Sequence, residues 1–215
     1  MEQSTTQITT KYLQIPKKEV LGSEESYTQV FNKGIMKMFK DVFRFSFRSP
    51  KFALFFLCII INHKKAQKNR LNWKETDLNV PAFMIFSITG TCNLRCKGCY
   101  AHAQHREKEK ELTAQRINEI IQEAKDLGVS IILIAGGEPL MRPELFDITA
   151  QHPEIIFPIF TNGLMIDDSI IKKLKKQKHV VPVLSIEGRY EETDLRRGSG
   201  VFKKVQKIMT DLKKN

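Results

Sequence analysis

The run Phe83-Met-Ile-Phe-Ser-Ile-Thr89-Gly90-Thr91-Cys92-Asn-Leu-Arg-Cys96-Lys-Gly-Cys99-Tyr100 decides how this chain is read. Phe83–Thr89 is apolar and β-branched, the composition of a buried strand. A Gly/Cys-rich loop follows, and three of the chain's 4 cysteines lie between Cys92 and Cys99. The chain shows no N-terminal apolar signal region, and so few cysteines in 215 residues do not make a secreted disulfide scaffold. Their clustering points to a metal or cluster site in a reducing, cytoplasmic compartment. Three thiolates spaced this way from one loop can wrap one soft metal centre. Two occupants suit them: a four-iron cluster with one iron left open, or structural zinc completed by His102 or His105. A disulfide would leave an odd cysteine. Cys58, inside an apolar run, reads as a buried small hydrophobe.

Outward from the loop, strands and helices alternate. Thr113 is an N-cap for a helix striped by Ile117, Ile120, Ile121, Ala124 and Leu127 and stopped by Gly128. Ser130–Ala135 is a second apolar strand, ending at Gly136-Gly137-Glu138-Pro139. A short helix near Pro143–Ala150 leads to a third strand, Ile155–Phe160, ending at Thr161-Asn162-Gly163. A Lys-rich helix over Asp168–Lys176 precedes a fourth strand, His179–Ile186, ending at Glu187-Gly188. The last helix carries Val201, Val205, Ile208 and Leu212. This alternation predicts an α/β fold with a parallel sheet or barrel, whose ligands bind at the C-terminal ends of the strands. Every distinctive motif lies at one of those ends. Residues 101–111 read as a charged, exposed segment.

The N-terminal part is different in kind. Net charge is +11, and residues 1–80 carry 14 basic against 7 acidic side chains. Residues 1–25 read as a flexible polar tail, residues 26–80 as a helical basic and aromatic extension, and residues 81–215 as the core. Tyr27, Phe31, Ile35, Met38, Val42 and Phe45 recur at helical spacing, and Ser49-Pro50 reads as a helix restart. The apolar run Phe52–Ile61 would span about 15 Å as a helix, half the ~30 Å core of a bilayer, so it is no transmembrane span. Residues 27–70 then form either a peripheral membrane contact or a helical pair packed on protein. The basic excess alone supports no specific nucleic acid partner.

Cys92, Cys96 and Cys99 directly after a strand resemble the signature of the radical S-adenosylmethionine (SAM) superfamily, and Gly136-Gly137-Glu138-Pro139 resembles its glycine-rich second strand end. Thr161-Asn162-Gly163, Ser185-Ile186-Glu187-Gly188 and Asp194-x-x-Arg197-Gly198-x-Gly200-x-Phe202 look like the branch of peptide-modifying and related enzymes that carry C-terminal auxiliary-cluster (SPASM) domains. The resemblance implies a TIM-like parallel partial barrel and a [4Fe-4S] cluster held by Cys92, Cys96 and Cys99. It further implies SAM on the open iron, cleaved reductively to a 5′-deoxyadenosyl radical that abstracts hydrogen from a substrate, a peptide in that branch. An electron donor such as a flavodoxin or ferredoxin is implied as well. Gly136 and Gly137 would admit the methionyl group closely, and Glu138 would pair with its ammonium. Ser185, Thr161 and Asn162 are further SAM-binding candidates, and Tyr100 stands in for the aromatic that relatives often carry where this chain has Gly98. Glu187 replaces the family's usual Asp. Family barrels have six strand–helix units and four are read here, so the chain is expected to be a truncated or split product. It would keep cluster and SAM residues and lack part of the substrate pocket.

Overall fold

In the computed structural model the structure describes residues 50–103 and 111–214. The tail over 1–25, the stripe from Tyr27 to Phe45, and His105 lie outside these residues. The chain divides into two compact units, Met1–Ala53 and Leu54–Asn215, and apart from residues 50–53 everything described below lies in the second.

Four strands, β1 (Phe83–Thr89), β2 (Ile131–Gly136), β3 (Phe157–Thr161) and β4 (Val180–Leu184), form one parallel sheet in the order β1-β2-β3-β4. This is the α/β architecture the alternation predicts. Helix α1 (Pro50–Lys74) precedes β1, and a single turn, α2 (Tyr100–Ala103), follows the cysteines. The crossovers hold α3 (Ala114–Leu127), α4 (Leu145–Ala150) and α5 (Asp168–Lys176), and after β4 come α6 (Tyr190–Arg197) and α7 (Val201–Lys214).

Strand alternation sorts the side chains. Ile88, Ile132, Ile134, Phe157 and Ile159 point to one face and are buried with Ile117, Ile121, Ala124, Leu145 and Ile148 from the helices. The opposite face stays open: Ile85 is 69% exposed and Phe160 41%. In β1 the pairing slips by one residue between Ser87 and Thr89, which re-aims the strand end just before the cysteine loop.

The capping read from sequence is present. The Thr113 hydroxyl accepts from the Arg116 amide at 3.1 Å, and Gly128 closes α3 in the left-handed region at φ 107°. Asp167 caps α5 by accepting from the Ile170 amide at 2.8 Å.

Helix α1 runs past the apolar stretch to Lys74, inside the segment read as a helical extension. Arg70 donates to the Gly128 carbonyl, and His63 Nδ1 lies 2.9 Å from Ser130 Oγ, so these side chains dock the helix on the core. Two expectations are corrected. Cys58 is exposed rather than buried, since it lies off that docked side. Glu111, placed by sequence in an exposed charged segment, is half-buried and accepts from the Thr89 hydroxyl at 2.7 Å and the Gly90 amide at 2.6 Å. Burial works to raise its pKa, but those hydrogen bonds and Arg142 prevail and hold it below the usual carboxylate value.

A Cβ at Gly128 would stand 2.6 Å from the Ala66 carbonyl oxygen, in a conformation that disfavours side chains. Gly128→Ala is therefore expected to lower stability by about 1–3 kcal/mol. Equilibrium urea unfolding checks this, and an unchanged midpoint would contradict the docking of α1 described here.

Candidate functional site

The C-terminal ends of the strands surround a cavity of about 340 Å³, within the range of roughly 300–1,000 Å³ usual for small-molecule sites. The loop after β1 contributes Cys92, Cys96, Cys99 and Tyr100; β2 contributes Ala135, Gly136 and Gly137. Asn162 and Ser185 enter from the ends of β3 and β4, Ile85 and Phe160 form the apolar floor, and Arg196 and Arg197 close one side. Among the described residues no three His, Cys, Asp or Glu side chains are grouped to hold a single metal ion. The three thiols are free and border the cavity.

The cysteine loop is held from three directions. The Gly137 amide donates to the Thr89 carbonyl and the Glu138 amide to the Thr91 carbonyl, both at 2.8 Å, extending the β1–β2 pairing beyond the strands. A Cβ at Gly136 would fall on the Thr89 carbonyl, and one at Gly137 on the Thr91 carbonyl. Both glycines are thus required by this close passage of two backbones, whatever approaches from the cavity. On a second side, Asn162 Nδ2 donates to Asn93 Oδ1 at 2.7 Å. On the third, the Lys97 amide donates to the Arg196 carbonyl at 2.8 Å, and Arg196 Nε returns a bond to the Lys97 carbonyl at 3.3 Å. Gly98, at φ 66°, makes the turn between the last two cysteines, where the Cys99 amide meets the Cys96 carbonyl at 3.3 Å.

Glu138 and Thr161, two of the sequence candidates, lie behind the cavity wall rather than on it. Glu138 is fully buried. Its Oε1 accepts from the Thr161 hydroxyl at 2.7 Å and the Leu140 amide at 3.1 Å, and its Oε2 accepts from the Asn162 amide at 2.7 Å. The Thr161 hydroxyl in turn accepts from the Gly163 amide at 2.9 Å, while Asn162 Oδ1 accepts from the Leu164 amide at 2.9 Å. Tyr100 is 55% exposed at the rim.

Arg196 is not singled out by the sequence, and Arg197 enters there only within the Asp194-to-Phe202 motif. Both guanidiniums reach one oxygen, Glu187 Oε1, at 2.7 and 2.6 Å. Arg196 and then Arg197 hold the Glu187 carboxyl below its usual range by hydrogen bonding. That contribution to stability is present above the ordinary carboxylate pKa and is lost as pH falls through the lowered one. Asp194 belongs to the scaffold: its carboxylate accepts from the Gly200 amide at 2.5 Å and the Phe202 amide at 2.8 Å, opening α7. Around the thiols, burial pushes Cys92 upward, opposed by the Leu94 amide and reinforced by Glu138. Burial also raises Cys96, against the pull of Arg197.

The family model of the radical SAM superfamily matches residues 86–215. The chain belongs to that superfamily. It is 36% identical over 122 residues to Fe-coproporphyrin III synthase of Methanosarcina barkeri, covering 55% of this chain and 31% of that one. It is 30% identical over 143 residues to the mycofactocin maturase MftC of Mycolicibacterium smegmatis, covering 64% of this chain and 36% of the other. The fold resembles Streptococcus suis SuiB bound to its precursor peptide SuiA, with TM-score 0.58 and 24% identity over 70% of this chain and 35% of that one. The chain spans about a third of the length of these curated relatives.

Glu138→Gln preserves shape but puts an amide NH₂ where a carboxylate oxygen receives donors. It is expected to cost about 1–3 kcal/mol, the penalty of a buried donor left without an acceptor. Thermal denaturation of the full chain measures it, and wild-type stability in the variant would refute the role given to this carboxylate.

Proposed function

We propose that this chain is a radical SAM enzyme, or the N-terminal part of one, whose cavity binds a [4Fe-4S] cluster through Cys92, Cys96 and Cys99. The observation that carries the reading is the convergence of three free thiols, the Gly136-Gly137 strand end, Asn162 and Ser185 on one cavity. The donor set fits the group: three soft ligands from one loop supply one thiolate per iron and leave a fourth iron open. Ligation converts the thiols to thiolates, so loading releases protons that burial otherwise retains on Cys92 and Cys96.

The chemistry that such a cluster supplies with SAM is one-electron cleavage of the sulfonium carbon–sulfur bond, giving methionine and a 5′-deoxyadenosyl radical that takes hydrogen from a substrate. This chain's own residues position the reactants. The Asn162 and Ser185 side chains offer hydrogen bonds at the cavity wall, and Arg196 and Arg197 suit a carboxylate there. Glu138 Oε2 accepts one described hydrogen bond, from the Asn162 amide, and retains capacity for a further donor. Tyr100 at the rim offers a ring for adenine, and Ile85 with Phe160 gives the cavity an apolar floor. A flavodoxin or ferredoxin is the proposed electron source. The proposed substrate class is a peptide, supported by the likeness to a fold solved with a precursor peptide bound.

Anaerobic reconstitution with iron and sulfide, followed by reductant and SAM, tests the reading through 5′-deoxyadenosine formation. Wild type is expected to turn brown and yield product. Serine at Cys92, Cys96 or Cys99 is expected to abolish both. A cluster without product would mark a binding fragment that needs a partner chain, and bound zinc without colour would overturn the reading.

A further inference from the structure

Helix α1 docks through one side and leaves the other bare. Its inward side carries His63, Ala66 and Arg70, which meet Ser130 and Gly128. Leu54, Leu57, Ile61, Lys64, Lys68 and Leu71 recur at alternating spacings of three and four, within roughly 100° of arc on the opposite side. Leu54 is 64% exposed, Leu57 53%, Ile61 56% and Leu71 57%, and both lysines are exposed.

Two features decide what covers this stripe. First, α1 contains no acidic residue along its 25 residues, and the nearby carboxylates of Asp126 and Glu154 line a cleft with Lys65 and Ala66. Second, the stripe changes character partway along, from three aliphatic side chains to two lysines, before Leu71 closes it. A helical protein partner, including a second copy of this chain, would have to bury those two cations at seam positions, where burial without partners is costly. A leaflet of anionic lipid meets both halves at once: aliphatic side chains enter the acyl boundary, and lysines extend their stems to reach headgroup phosphates. No helix among the described residues is long and apolar enough to cross a membrane, so the contact is one of lying on the surface.

We propose that the outward face of α1, from Leu54 to Lys68, docks this chain on an anionic membrane surface. The test is co-sedimentation of the full chain with phosphatidylglycerol/phosphatidylcholine vesicles, set against phosphatidylcholine alone. Wild type is expected to bind only the anionic vesicles, and less at high salt. Leu57→Asp with Ile61→Asp should remove binding. Lys64→Gln with Lys68→Gln should weaken it by about tenfold or more, since each lysine near an anionic surface is worth roughly fivefold. The charge-matched control Lys203→Gln with Lys204→Gln, on exposed positions of α7, should bind as wild type, and all variants should melt as wild type. The proposal is overturned by failure of the folded wild type to sediment, or by anionic-vesicle binding that survives both α1 variants. A lipid-free dimer dissolved by the aspartate pair would also overturn it, because the face would then be a protein contact.

Discussion

A single carboxylate, that of Glu138, holds the ends of β2 and β3 together, and the rest of the site depends on it. It is fully buried and takes a hydroxyl and two backbone amides from Leu140, Thr161 and Asn162. A buried carboxylate survives only when its oxygens are met by donors, and these come from the end of β3 and the turn that follows β2. Asn162, pinned by its backbone to Glu138, is free to turn its side-chain amide to Asn93 inside the cysteine loop. Position is thereby relayed from a strand end to the cysteine loop through two hydrogen bonds.

The loop's far arm depends on a different interaction. Glu187 draws the guanidiniums of Arg196 and Arg197 onto one oxygen, and Arg196 exchanges two hydrogen bonds with Lys97. Both arginines thus stand beside the thiols while their stems are held by a carboxylate. This arrangement keeps positive charge close to the thiols, and Arg197 and Arg196 oppose the upward push of burial on Cys96.

Much of the architecture is legible in the residues themselves. The strands are short apolar runs closed by glycine, and α3 is bracketed by a Thr N-cap and a left-handed glycine, so their positions follow from local chemistry. Helix α6 is not legible in the same way, because Tyr190-Glu-Glu-Thr-Asp-Leu-Arg-Arg197 has no apolar stripe and buries only Thr193. Its role is to carry arginines to the cavity, which no periodicity announces. The cysteine loop and the Gly-Gly strand end are legible as motifs. Their glycines, however, answer to the crossing of the Thr89–Thr91 backbone, a contact that exists only once β1 and β2 pair.

By itself, the sequence determined the parallel α/β order, the clustering of three thiols after the first strand, and the superfamily. Each rests on residues near one another in the chain: alternating apolar runs, glycine stops and a fixed cysteine spacing. Only the tertiary structure decided that Glu138 lies behind the cavity wall, that Arg196 and Arg197 stand on it, and that one stripe of α1 is left bare. Those facts depend on which surfaces face each other after folding, and burial of a polar group or exposure of an apolar one is a property of the packed neighbours, not of the residue.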